Sequence, residues 1–170
     1  MKKIFLFAAA LCLSTLLIAQ TKGSVKLYGY KQPVSGGKAP EPSTDTGLRV
    51  SRRSGNNYFI YAVSSSRIYP LEIWLEGNRY GVTVKSIKKT PVEYSNEMNV
   101  GSPKKILVPK TTKEVLQLIP MAADAGAKSA GVKAKSLSTQ NEAVAVYKQN
   151  GKFYYNTLKR LSDLESVSMQ

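Results

Sequence analysis

The chain predicts an all-β domain: an antiparallel two-sheet sandwich, immunoglobulin-like in general architecture, made of about eight or nine short strands with one long Ala/Lys/Ser/Gly-rich loop. Three observations carry this expectation. Apolar and polar residues alternate with period two along most of the chain. Clusters of Gly, Pro, Asn and Ser punctuate the alternation at short intervals. Long helices are lacking beyond the first twenty residues, and the one stretch of different composition, 122–140, has no apolar face wide enough for a core helix.

Residues 1–20 are set apart from this pattern. Lys2 and Lys3 precede an apolar run from Ile4 to Ile18, and the chain turns polar at Ala19-Gln20-Thr21. This is the build of a secretory signal peptide, too short and wrongly flanked for a spanning helix. Cleavage is expected near 19–21, giving an exported chain that is periplasmic, envelope-associated or extracellular and is not an integral membrane protein. Cys12 lies inside the apolar run behind Leu11, where lipoprotein processing does not place its cysteine. The mature chain then has no cysteine, and about 150 residues can bury a sufficient core without disulfides.

A single domain over 21–161 follows. Strands are expected at 25–31, 48–53, 58–64, 70–76, 79–87, 105–108, 114–119, 142–149 and 152–161, with a turn-rich stretch over 32–47 holding Pro33, Gly36, Gly37, Pro40 and Pro42. Thr111 and Glu114 have the spacing of a helix capping box, but Pro120 would end such a helix within two turns, so a strand is expected there. The low-complexity segment 122–140 reads as a loop, and 162–170 as a frayed tail.

Two hairpins can be folded on paper. A turn at Gly77-Asn78 sets Leu75 against Tyr80, Ile73 against Val82 and Leu71 against Val84 on a core face. The other face pairs Glu76 with Arg79 and Trp74 with Gly81. A turn at Asn150-Gly151 sets Gln149 against Lys152, Tyr147 against Tyr154 and Ala145 against Asn156. Its alternate face pairs Lys148 with Phe153, Val146 with Tyr155 and Val144 with Thr157. Both faces are half apolar, so the pattern does not choose between them.

The chemistry is bounded by absences. Without histidine or a mature cysteine, Ser-His-Asp and Cys-His catalysis and the usual zinc and copper sites are excluded, and no metal or cofactor is expected. Ser-x-x-Lys occurs at Ser35/Lys38, Ser86/Lys89 and Ser102/Lys105, all in strands or turns rather than at helix starts. Glu72 and Glu76 share a strand face but stand roughly 13 Å apart, beyond a glycosidase pair. A hydrolase using scattered carboxylates or a Ser-Lys pair is the alternative from another class. A small eight-stranded outer-membrane barrel is a further alternative; against it, several short strands would turn Lys or Arg toward lipid, and the C-terminus lacks an aromatic girdle residue.

What remains is charge and aromaticity. Removing Lys2 and Lys3 from 25 basic residues leaves 23 against 11 acidic, a net charge of +12. Ten tyrosines accompany the lysines. The expected function is a non-catalytic exported module for binding or scaffolding, with a protein partner or an anionic surface glycan or lipid as its target; nucleic acid is not the expected partner. Candidate ligand-binding residues are Tyr147, Lys152 and Tyr154 on one face of the last hairpin. Trp74 is either a fourth such platform or a cover for the bare backbone of Gly81.

Overall fold

The β-branched and aromatic residues of the alternating segments form extended strands, as their propensity directs. The computed structural model describes residues 25–35, 55–96, 103–123 and 131–168. The expected signal peptide and the expected strand at 48–53 lie outside the described residues. In chain order the elements are β1 (Lys26–Ser35), β2 (Gly55–Ser64), β3 (Tyr69–Leu75), β4 (Asn78–Ile87), β5 (Val92–Tyr94), β6 (Lys105–Val108), β7 (Glu114–Ala122), α1 (Val132–Ser138), β8 (Ala143–Gln149), β9 (Lys152–Leu158), β10 (Ser162–Asp163) and β11 (Val167–Ser168).

The domain is mostly β, with a curled multi-strand sheet and a small second sheet. In the large sheet the order is β10-β1-β2-β7-β4-β3-β8-β9, with β11 also on β1, and the small sheet pairs β5 with β6. The curl brings the far strand β9 back to β1, where the Asn156 side chain donates to the Val25 carbonyl at 2.6 Å. Gly29 permits this approach: a Cβ there would stand 2.5 Å from Leu161 Cδ2 and 2.7 Å from Leu158 Cδ1.

The concave face encloses the main core, in which Ile60, Ile73, Leu75 and Ala143 are fully buried. The convex face is also covered in two places. Tyr30, Tyr61, Val63 and Val115 lie beneath Leu107 and Val108 of β6 and Leu164 of the C-terminal segment, and Tyr30 Oη donates to the Leu107 carbonyl at 2.7 Å. Trp74, Val144 and Val146 lie beneath Ala134 and Leu137 of α1. Both faces of β8 are therefore core, which resolves the ambiguity of its sequence.

Several expectations need correction. The first hairpin turns at Glu76-Gly77, with φ of 48° and 82°, and not at Gly77-Asn78. Left-handed dihedrals at both central positions make the two-residue turn whose twist matches the strands, and glycine suits its second position. Ile73 thus faces Tyr80, Leu75 faces Asn78 and Trp74 faces Arg79, two residues off the expected register but on the same faces. Leu71 and Val84, expected in the core, are each 40% exposed.

The segment 122–140 is not wholly a loop, because α1 forms within it. Ala, Lys and Leu favour helix, and a face only two residues wide, Ala134 and Leu137, suffices to dock it. Its end is capped by Asn141, whose Nδ2 donates to the Leu137 carbonyl at 2.8 Å. Residues 162–168 of the tail dock on the sheet, since β10 and β11 pair in parallel with β1 and Leu164 N–H donates to the Lys31 carbonyl at 2.8 Å. β1 runs on through Pro33 to Ser35, into the stretch read as turn. The Asn150-Gly151 hairpin has the expected register in all six pairs.

Candidate basic–aromatic face

The convex side of β3, β8 and β9 is covered by α1 only at one end. Beyond the helix, Tyr69 of β3 pairs with Lys148 of β8, and Lys148 pairs with Phe153 of β9. Cross-strand partners share a face, so the three side chains stand abreast. A register shift between Pro70 and Glu72 in β3 sets this alignment; had the register of Glu72 run on unshifted, Tyr69 would stand opposite Gln149 and point to the other face.

Cations sit on these rings. Lys148 Nζ lies 4.8 Å from the Phe153 ring centre, and Arg67 Cζ lies 5.2 Å from that of Tyr69. One step toward the helix, Lys133 Nζ of α1 lies 4.9 Å from the Tyr155 ring. Tyr69 is 52% exposed and Phe153 51%, and Arg67 and Lys148 are open to solvent. With neighbouring strands about 4.8 Å apart, the two exposed rings stand about 10 Å apart with a lysine between them. Exposed cation–ring contacts contribute only about 0.5–1 kcal/mol each, so these side chains are oriented without being locked.

The carboxylate that β3 carries on this face does not oppose the cations. Glu72 is 4% exposed, accepts from Arg79 Nε at 2.8 Å and from Trp74 Nε1 at 3.0 Å, and is thus neutralised within the protein. The row consequently presents positive charge and flat apolar rings together.

The residues expected from the sequence lie elsewhere. Trp74 is buried beneath α1, across from Arg79 rather than Gly81, and its N–H is spent on Glu72. Tyr147 is buried on the concave side, where it stacks on half-buried Tyr154 at 5.8 Å between ring centres. Burial pushes the Tyr147 hydroxyl pKa up, and the Tyr154 hydroxyl beside it adds to the rise. Lys152 is exposed beside the turn, across from Gln149. Tyr69, Arg67, Lys148 and Phe153 were missed as a group. The signal available for them was the alternate-face pair Lys148/Phe153, but Tyr69 joins it only through the β3 irregularity.

Two other polar groupings are built from described residues. At one end of the curled sheet, Glu76 accepts from Tyr58 Oη at 2.7 Å and pairs with Lys31 Nζ at 3.2 Å, and Glu142 pairs with the same lysine at 3.5 Å. Near the C-terminal segment, Tyr94, Asn96, Lys104, Lys105, Asp163 and Glu165 border a cavity of about 340 Å³. Among the described residues, no group of three or more Asp, Glu, His or Cys side chains could hold a metal ion, and no helix is long and apolar enough to cross a membrane. Comparison of the chain with protein-family models, curated proteins and solved structures returns no match.

Proposed function

We propose that the protein is a non-catalytic exported binding module that holds an anionic polysaccharide on the convex row Arg67–Tyr69–Lys148–Phe153. The observation that carries this reading is two half-exposed rings about 10 Å apart, each with a cation beside it, on a rigid sheet. Sugar rings stack on flat aromatic faces through their C–H surfaces, while carboxylate or sulfate groups on the polymer pair with Lys148 and Arg67. The net charge of +12 for the chain without residues 1–20 would steer the polymer toward the protein. As architecture, we read the curled sheet and its β5–β6 cover as a two-sheet sandwich, with the immunoglobulin likeness limited to that layering. Export rests on residues 1–20 and is checked by N-terminal sequencing of the protein from the cell envelope or medium, which should begin near residue 20.

The test is titration with polygalacturonate and with a neutral polysaccharide of similar length. Binding should be confined to the acidic polymer and weaken steeply with salt, since exposed charges are screened within about 8 Å at physiological ionic strength. At fixed salt, Tyr69→Ala and Phe153→Ala should each lower affinity by about 1–3 kcal/mol, the range for ring stacking in single-stranded nucleic-acid complexes. Folded variants that bind as well as the parent would refute the site. A second reading, a hydrolase, draws on the cavity that Asp163 and Glu165 border. It requires polymer cleavage that Asp163→Asn or Glu165→Gln abolishes.

A further inference from the structure

The wall of the curled sheet has an open seam between β3 and β4. β4 pairs with β7 from Tyr80 to Ile87, but with β3 only from Asn78 to Gly81. The irregularity between Pro70 and Glu72 turns β3 aside toward β8. Among the described residues, no strand lies against β4 on that side from Val82 to Ile87.

The backbone groups facing this seam follow from the hairpin. In a two-residue hairpin the pair flanking the turn, here Leu75 and Asn78, exchanges both backbone bonds, and such pairs alternate along the ladder. On β4, Asn78 and Tyr80 therefore turn N–H and C=O toward β3. Val82, Val84 and Ser86 turn theirs the same way, into the seam, while Thr83 and Lys85 bond to β7. Three N–H and three C=O groups thus have no strand partner among the described residues. Leu71 at the irregularity and Val84 on the edge, each 40% exposed, add an apolar lip.

We propose that this edge accepts an extended acidic segment of a partner protein as an added antiparallel or parallel strand. Backbone bonds would supply the affinity and alternate side chains the selectivity. Charge selects the occupant. Lys85, Lys88 and Lys89 are exposed along or just beyond the edge, and Arg67 lies at the start of the opposite lip; Glu114, on the β7 side, is the acid near its end. A second copy of this chain would set these lysines against themselves, and like charges directly opposed are destabilising. A strand with acidic residues on its solvent face and apolar ones toward Val84 and Leu71 meets both demands.

The test uses the purified chain and a capped eight-residue peptide of alternating valine and glutamate, with its valine–lysine counterpart as control. Hydrogen exchange read by NMR should slow at the amides of Val82, Val84 and Ser86 on adding the glutamate peptide, with no change at Thr83 and Lys85. Val84→Pro removes one seam-facing N–H and leaves the bonds to β7, a replacement that edge strands tolerate; it should weaken the peptide at least tenfold. Lys85→Glu should shift preference toward the lysine peptide. The proposal is overturned if the parent chain's protection does not change at those three amides, if both peptides bind equally, or if the same protection grows with protein concentration alone, which would identify a second copy as the occupant. The exchange measurement on the parent chain decides the matter even if Val84→Pro does not fold.

Discussion

Replacing Glu76 by Gln tests the ionic clamp at one end of the sheet. The Glu76 carboxylate accepts from Tyr58 Oη at 2.7 Å, from Asn56 Nδ2 at 3.4 Å, and pairs with Lys31 Nζ at 3.2 Å. The Tyr58 hydrogen bond holds the carboxyl below its usual 4.5, with Lys31 adding to the effect against some desolvation. Glutamine keeps the size, the left-handed backbone and an acceptor for Tyr58, so the charge alone is lost. Buried hydrogen bonds to charged groups are worth about 1.5–3 kcal/mol, but this side chain is one-third exposed and its ion pair is partly screened. The expected loss at pH 7 is about 1 kcal/mol. A carboxyl whose pKa is lowered on folding contributes stability that is present above its unfolded value and disappears as pH falls through the folded one. Urea denaturation from pH 7 to pH 3 should therefore show parent and variant converging in acid. A gap that stays constant over that range, or a variant more stable at pH 7, would refute the clamp.

Other variants probe the remaining structure. Tyr58→Phe should remove an alkaline weakness: burial, then the Glu76 hydrogen bond, push the hydroxyl from 10.0 up to about 12, so the parent loses this contribution as pH rises from about 10 to about 12 and the variant does not. Ile73→Ala should cost about 2–4 kcal/mol in chemical denaturation, because the side chain is fully buried, whereas Leu71→Ala should cost less than about 1.5. Gly29→Val should cost about 1–3 kcal/mol by overpacking, since even one added carbon meets Leu158 and Leu161; an unchanged denaturation midpoint would mean that the β1–β9 approach is looser than described.

Strands whose signal is local were legible in the sequence. Asn150-Gly151 fixes its own turn, and the six cross-strand pairs follow from it. Glu76-Gly77 was harder, because glutamate in the left-handed region is uncommon; its place in the turn is reinforced by three side-chain partners from β1 and β2, which no local window contains. The α1 helix escaped notice because Ala134 and Leu137 make too narrow a stripe to register as amphipathic, although the sheet beneath needs no wider cover. The C-terminal strands depend wholly on the distant β1. The candidate site was half legible. The last hairpin carries part of the proposed row, but its two faces are equally apolar, and only the curl of the whole sheet decides that Tyr147 and Tyr154 turn inward while Lys148 and Phe153 turn out.

The exposed row is not merely what a short helix leaves uncovered. At seven residues, α1 spans about 10 Å, enough for Trp74, Val144 and Val146, and the strands continue past its end. Ordinary uncovered positions at that point could be filled by polar residues, as exposed Lys152 is near the same turn. Instead Phe153 and Tyr69 keep about half their surface in water, on strands β9 and β3 that flank β8 and pair with it at Lys148. Leaving that apolar area exposed forgoes stabilisation of about 25 cal/mol per Å², and the Lys148 and Arg67 contacts recover only part of it. The same β3 irregularity that brings Tyr69 into line with Lys148 also opens the seam beside β4. One irregularity in a strand thus lies beside both surfaces. Removing it by deleting Leu71 leaves Pro70 opposite Tyr147 and Tyr69 opposite Lys148 in ordinary alternation while letting β3 continue beside β4, so polysaccharide binding should persist and acidic-peptide binding should be lost. Retention of acidic-peptide binding in a folded deletion variant would show that the irregularity does not open the seam, and loss of polysaccharide binding would show that Tyr69 is not aligned by its pairing with Lys148.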